Sequence, residues 1–174
     1  MVTIDLGTQH IQPRSNLASY ERDHNPDKED YNSNPNAVQA FAGKLYATDA
    51  GGNTLLTIDP ASSDPAATYP ITDQFIFPRI DVTIGPPFVN DPAPYKASAV
   101  PTGLSRNPLS NSLNIGELTG FPFEQGAATV FSLDDAPNAT PIEKWAGFSL
   151  MTDVAAGADG SLYVLECASN FFKS

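Results

Sequence analysis

"LYATD" at residues 45–49, "LNIGE" at 113–117 and "LYVLE" at 162–166 decide how this chain folds. Each opens on Leu, carries Ala, Ile or Val two residues later, and closes on an acid two beyond that. Alternate residues of an extended strand share a face. Leu45, Ala47 and Asp49 therefore align, as do Leu113, Ile115 and Glu117, and Leu162, Val164 and Glu166. An acid closing an apolar stripe calls for a partner, because an ionised carboxylate left dry and unpaired costs several kcal/mol.

Upstream of each copy lies a second strand-like run, beginning "PNAVQAF" at 35, "PTGLSRN" at 101 and "MTDVAAG" at 151. The turn between the two is clearest as "GADGS" at 157–161, so each pair predicts a hairpin. Third strands follow as "LLTID" at 55–59 and "TVFSLD" at 129–134, and the N-terminal stretch has its own copy in "VTID" at 2–5. Fourth strands are expected at "LASYE" (17–21), around "ATYPI" (67–71) and at "IEKWAGF" (142–148), with no helix anywhere.

Four short strands per unit, recurring every fifty to seventy residues or so, predict an all-β chain built as a partial β-propeller of about three four-stranded blades. Two blades are complete and two are halves. The expected boundaries are a half blade at 1–24, a blade at 34–72, a proline-rich insertion at 72–98, a blade at 100–148 and a half blade at 150–174, all in one domain of 174 residues. A β-sandwich is the alternative architecture. Propellers close with roughly four to eight blades, so another chain or missing sequence is expected to complete the ring. The other chain is either a second copy, forming a ring-closing homodimer, or the subunits of a larger complex.

Nine basic against twenty acidic residues give a net charge of −11, which repels phosphate backbones and anionic surfaces and excludes nucleic acid as the expected partner. No apolar run is long enough for a transmembrane segment. "MVTIDLG" has neither the basic region nor the apolar core of a signal peptide. The single Cys167 has no internal disulfide partner and is expected to be a small buried hydrophobe.

Several stretches, "NPDKEDYNSNPNAV" (25–38), "TDAGGNTLLTIDP" (48–60), "VPTGL" (100–104), "IGELTGFPFEQGAATVFSL" (115–133) and "DGSLYVLE" (159–166), resemble the NHL-like propeller family of the ScyD/ScyE type, named after scytonemin biosynthesis. They cover much of the chain in the family's order, and "GELTGFPF" is the most specific. The chain departs from the family at 107–112, where "NPLSNS" replaces the usual Gly-Pro-Asp-Gly turn. The resemblance implies an exported scaffold or binding propeller, periplasmic or extracellular, with the thylakoid lumen as the alternative. It supplies no catalytic mechanism.

Asp49, Glu117 and Glu166 are the first candidate site residues, either as repeat-stabilising acceptors of backbone N–H groups or as a ring of carboxylates around a cation. A second candidate is the alternation Asp23, Asn25, Asp27 and Glu29, which opens like a calcium loop but has Lys28 and Asn34 where such loops carry Gly and Glu. Asp23, Asn25 and Asp27 are thus the expected metal ligands, for calcium. Phe121 and Phe123, flanking Pro122 in "TGFPFEQG", are the expected partner contacts.

Enzyme signatures such as G-x-S-x-G, H-E-x-x-H, a P-loop or G-x-G-x-x-G are missing, and His10 and His24 fall in polar stretches expected to be loops. The expected function is a non-catalytic propeller scaffold or binding protein acting through protein association. The alternatives are a metal-dependent lactonase-type hydrolase or an accessory protein of pigment biosynthesis.

Overall fold

The computed structural model of the chain describes residues 1–60, 64, 67–83 and 95–167. The expected insertion at 72–98 and half blade at 150–174 each run partly outside the described residues. Among the described residues the fold is all-β, made of antiparallel sheets of up to four strands, none closed into a barrel, with one short helix.

The first hairpin pairs β1 (Val2–Ile4) with β2 (Ile11–Pro13), and α1 (Leu17–His24) follows it. A four-stranded sheet runs in order through β3 (Pro35–Phe41), β4 (Lys44–Asp49), β5 (Thr54–Ile58) and β6 (Ile71–Ile76). A small hairpin joins β7 (Ile80–Val82) to β8 (Tyr95–Ala97). The second four-stranded sheet comprises β9 (Pro101–Asn107), β10 (Ser112–Glu117), β11 (Ala128–Asp134) and β12 (Ile142–Phe148). A last hairpin pairs β13 (Met151–Ala156) with β14 (Leu162–Glu166).

Two expected strands are corrected. Residues 17–21 belong to a helix, because local capping wins over the apolar pattern. Asn16 stands at the N-cap and its side chain accepts from the Ser19 N–H at 3.1 Å, while Asn25 takes a left-handed φ of 42° and donates its N–H to the Glu21 carbonyl at 2.7 Å. His24, expected in a loop, ends this helix with its ring stacked on Tyr20, centroids 4.2 Å apart. The fourth strand expected at 67–71 instead spans Ile71–Ile76: Pro70 lacks an N–H for the ladder, so regular pairing begins after it.

Each apolar stripe packs on the unit that precedes it. Leu45 and Ala47 meet Leu17 of α1. Leu113 and Ile115 meet Tyr46 and Leu55 of the first large sheet. Leu162 and Val164 meet Ala128 and Val130 of the second. Cys167 is a further correction: it is exposed, because it continues the alternation of Tyr163 and Leu165 on the uncovered face of β14.

β9 packs against both β3 and β13. The Thr48 hydroxyl donates to the Thr102 carbonyl at 2.6 Å, and the Thr102 hydroxyl donates to the Met151 carbonyl at 3.0 Å, so one polar line links β4, β9 and β13. The Ala156 N–H donates to Ser105 Oγ at 2.8 Å across the same junction. Gly103 permits this approach: a Cβ there would lie 2.6 Å from the Val154 nitrogen and 2.8 Å from the Asp153 Cα. Because backbone rather than a flexible side-chain end blocks the space, Gly103→Ala is expected to cost about 1–3 kcal/mol, read as a lower urea midpoint at unchanged m-value.

Candidate functional site

The three stripe-closing carboxylates end the second strand of their hairpins at matching places. Asp49 lies opposite Pro35, Glu117 opposite Pro101 and Glu166 opposite Met151, and each hairpin has a register shift beside that pair. The residue after each acid donates its N–H to the residue just before the first strand: Ala50 to Asn34 at 3.0 Å, Leu118 to Val100 at 2.9 Å and Cys167 to Leu150 at 2.9 Å. The bulge and this closing bond fold the strand end back over the start of its partner, which brings the acid against the segment entering the sheet.

Their surroundings then differ. Asp49 is fully buried and accepts from the Ser33 hydroxyl at 2.6 Å, the Asn34 N–H at 2.6 Å and the Gly52 N–H at 3.2 Å. Glu166 is exposed and accepts from the Ser149 N–H at 2.5 Å. Glu117 is only 2% exposed, yet its Oε1 has no partner. Ser33, whose hydroxyl serves Asp49, stands two residues before the first strand of its hairpin; the matching residues are Ala99 for Glu117 and Ser149 for Glu166, where the backbone N–H and not the hydroxyl meets the acid. The three acids occupy separate layers, and among the described residues no three His, Cys, Asp or Glu side chains come together to hold a metal ion.

Glu117 opens onto a cavity of about 250 Å³ whose charged lining includes Arg79, Asp81 and Glu143. Burial pushes its carboxyl up to about 9, the Glu143 charge adds to the rise, and an N–H from Thr129 opposes it. Arg79 does not neutralise it, because its guanidinium is taken by Glu29 and by the Lys96 carbonyl at 3.0 Å. Asp81 is paired with Lys96 at 2.8 Å. A carboxylic acid that keeps its proton is a hydrogen-bond donor as well as an acceptor.

Around the end of α1 the three expected metal ligands take different hydrogen-bond partners, and Asp23 alone turns to a cation. Asp23 points outward and pairs with Arg22 at 2.9 Å. Asn25 donates from Nδ2 to the Glu29 carbonyl at 2.8 Å, and its Oδ1 is buried without a partner. Asp27 accepts from the Glu29 N–H at 3.1 Å and from Asn53 Nδ2 at 2.9 Å. Beside them lies Glu21, which sequence reasoning placed in a strand: it is 2% exposed and its Oε1 is unpartnered. Burial raises its carboxyl above the usual range, and the charges of Asp27 and Asp49 add to that. Recognising Asn16 and Asn25 as helix caps would have put Glu21 on the inner side of a helix with Leu17.

Phe121 and Phe123 are both half-buried and meet edge to face, centroids 5.8 Å apart, at the tip of their loop. The loop is tied down by N–H groups of Thr119 and Gly120, which donate to the carbonyls of Ala99 and Ser98 at 3.0 and 2.7 Å. A wider concavity of about 600 Å³ lies between the first hairpin, α1 and β3. Its wall is mainly apolar, and the Arg14 head group there is held by Thr3 Oγ1 at 2.9 Å and the Ala67 carbonyl at 3.2 Å.

The chain matches no protein-family model and no curated protein.

The state of Glu117 fixes a pH dependence. A carboxyl raised from 4.5 to about 9 by folding favours the native state while protonated, and that contribution is lost as pH rises toward 9. Glu117→Gln keeps a neutral side chain at every pH. In urea melts between pH 5 and pH 9, the variant is expected to lose less stability than the parent as pH rises, with the largest gap at the alkaline end.

Proposed function

We propose that this chain is a propeller-type scaffold or binding protein that works by associating with another polypeptide. The observation that carries this is the state of its two outer faces. β1 and β2 expose Val2 at 53%, Ile4 at 56% and Ile11 at 59%. At the far side β14 exposes Tyr163 at 63% and Leu165 at 62%. Between these faces, the stripes of β4, β10 and β14 each bury against the preceding unit, so the same packing rule repeated once more in either direction would cover the exposed residues. Repetition of blades around an axis satisfies that rule, and a ring of four to eight blades or so leaves no outer face.

The resemblance to ScyD/ScyE-type propellers supports the same architecture and an extracytoplasmic setting. No helix among the described residues is long and apolar enough to cross a membrane. Two uncovered apolar faces and the edge-to-face pair Phe121 and Phe123 favour association over catalysis.

Light scattering of the purified chain across a dilution series tests this. The expected result is a particle heavier than one chain that falls apart on dilution, with Ile4→Lys and Leu165→Lys each shifting the equilibrium toward the single chain at unchanged circular dichroism. A compact, monodisperse single chain at every concentration, indifferent to both substitutions, would overturn the proposal.

A further inference from the structure

We propose that Glu21, Asn25 and Asp27, facing the Gly52–Asn53 turn, form a binding site for one calcium ion. Two oxygen acceptors here have no partner although they are shielded from solvent, Glu21 Oε1 and Asn25 Oδ1. The amide orientation of Asn25 is set from its other side, since Nδ2 is spent on the Glu29 carbonyl at 2.8 Å. Its oxygen is thereby left buried without a donor.

Glu21 stands one helical turn before Asn25, whose N–H donates to the Glu21 carbonyl at 2.7 Å. A side chain begun at Gly52 would sit 2.8 Å from Glu21 Oε2, so the carboxylate occupies the space that glycine leaves beside the turn. Asn53, the next residue, holds Asp27 through its Nδ2 at 2.9 Å. Glu21 and Asp27 thus flank two successive residues of one turn. Asp49 lies close enough for its charge to act on Glu21, but its oxygens are already met by Ser33, Asn34 and Gly52, so it contributes field rather than a free ligand.

The cations of this region are engaged elsewhere. Arg22 pairs with Asp23, Arg79 with Glu29, and Lys28 Nζ reaches the His24 carbonyl at 3.4 Å. Arg79 lies near enough for its charge to interact with Asp27, but its head group is bonded to Glu29; no side-chain cation bonds the unpartnered oxygens of Glu21 and Asn25, and such atoms call for a proton or a metal ion. The donors are all oxygen, two carboxylates and one amide, which suits a hard cation and not zinc. Calcium tolerates an irregular set that carbonyls and water complete, whereas magnesium requires near-octahedral geometry.

Calorimetric titration of the chelator-treated full chain with calcium chloride, paired with melting curves, tests the site. One ion per chain and a melting temperature that climbs with calcium are expected. Glu21→Gln and Asp27→Asn should each weaken binding by on the order of tenfold or more. Asp81→Asn, which removes a carboxylate paired with Lys96 away from this turn, should titrate as the parent does. Absence of both heat and melting shift at millimolar calcium would leave a proton as the occupant of Glu21 and overturn the proposal. Parental affinity in both Glu21→Gln and Asp27→Asn would overturn it as well. Neither outcome bears on association, which light scattering reads separately.

Discussion

The architecture depends on how closely β9 can approach its neighbours. Thr102 accepts from Thr48 and donates to Met151, while Gly103 lets the backbone of β13 come within a distance that any side chain would forbid. A hydrogen bond between a hydroxyl and a carbonyl in a dry junction is worth little net, on the order of 1 kcal/mol, but leaving its partners unpaired there would cost more. The junction is therefore specific: only an arrangement that aligns Thr48, Thr102 and Met151 satisfies all three strands. The apolar layers on either side, built on residues such as Leu55, Ile115 and Val130, supply driving force without that directionality.

Against this frame the repeated carboxylates show how a conserved geometry accommodates different chemistry within one molecule. A strand end that folds back over its partner's start delivers an acid to the same spot in three hairpins. What happens next depends on two or three neighbouring residues. Serine and backbone N–H groups at 33–34 satisfy Asp49. The Ser149 N–H serves Glu166. Glu117 keeps one oxygen without a partner, and burial pushes its carboxyl up to about 9. Glu21 meets the same constraint from a helix, beside a turn where glycine leaves room for its head group.

Much of the sheet structure was legible as pattern. Period-two alternation located the hairpins beginning at Pro35, Pro101 and Met151, and prolines fell at strand starts, where the missing N–H is tolerated. The tight Ala42-Gly43 turn, with φ of 50° and 75°, follows from a two-residue loop between paired strands. The helix at Leu17–His24 was hidden because its eight residues are too few to establish a 3.6-residue period, and only the caps Asn16 and Asn25 mark it. Missing the helix also hid Glu21, which a strand would have aimed elsewhere.

The sequence by itself determined the all-β class, the hairpins beginning at Pro35, Pro101 and Met151 and the position of an acid at each stripe's end, because these rest on local alternation and turn chemistry. Only the tertiary structure decided which acids are satisfied and which are not. Solvation and hydrogen-bond supply come from residues distant along the chain, such as Gly52 beside Glu21 and Glu143 near Glu117. Exposure of Tyr163 and Leu165 was likewise undecidable locally, since their alternation matches that of buried residues and only the absence of a covering layer among the described residues sets them apart.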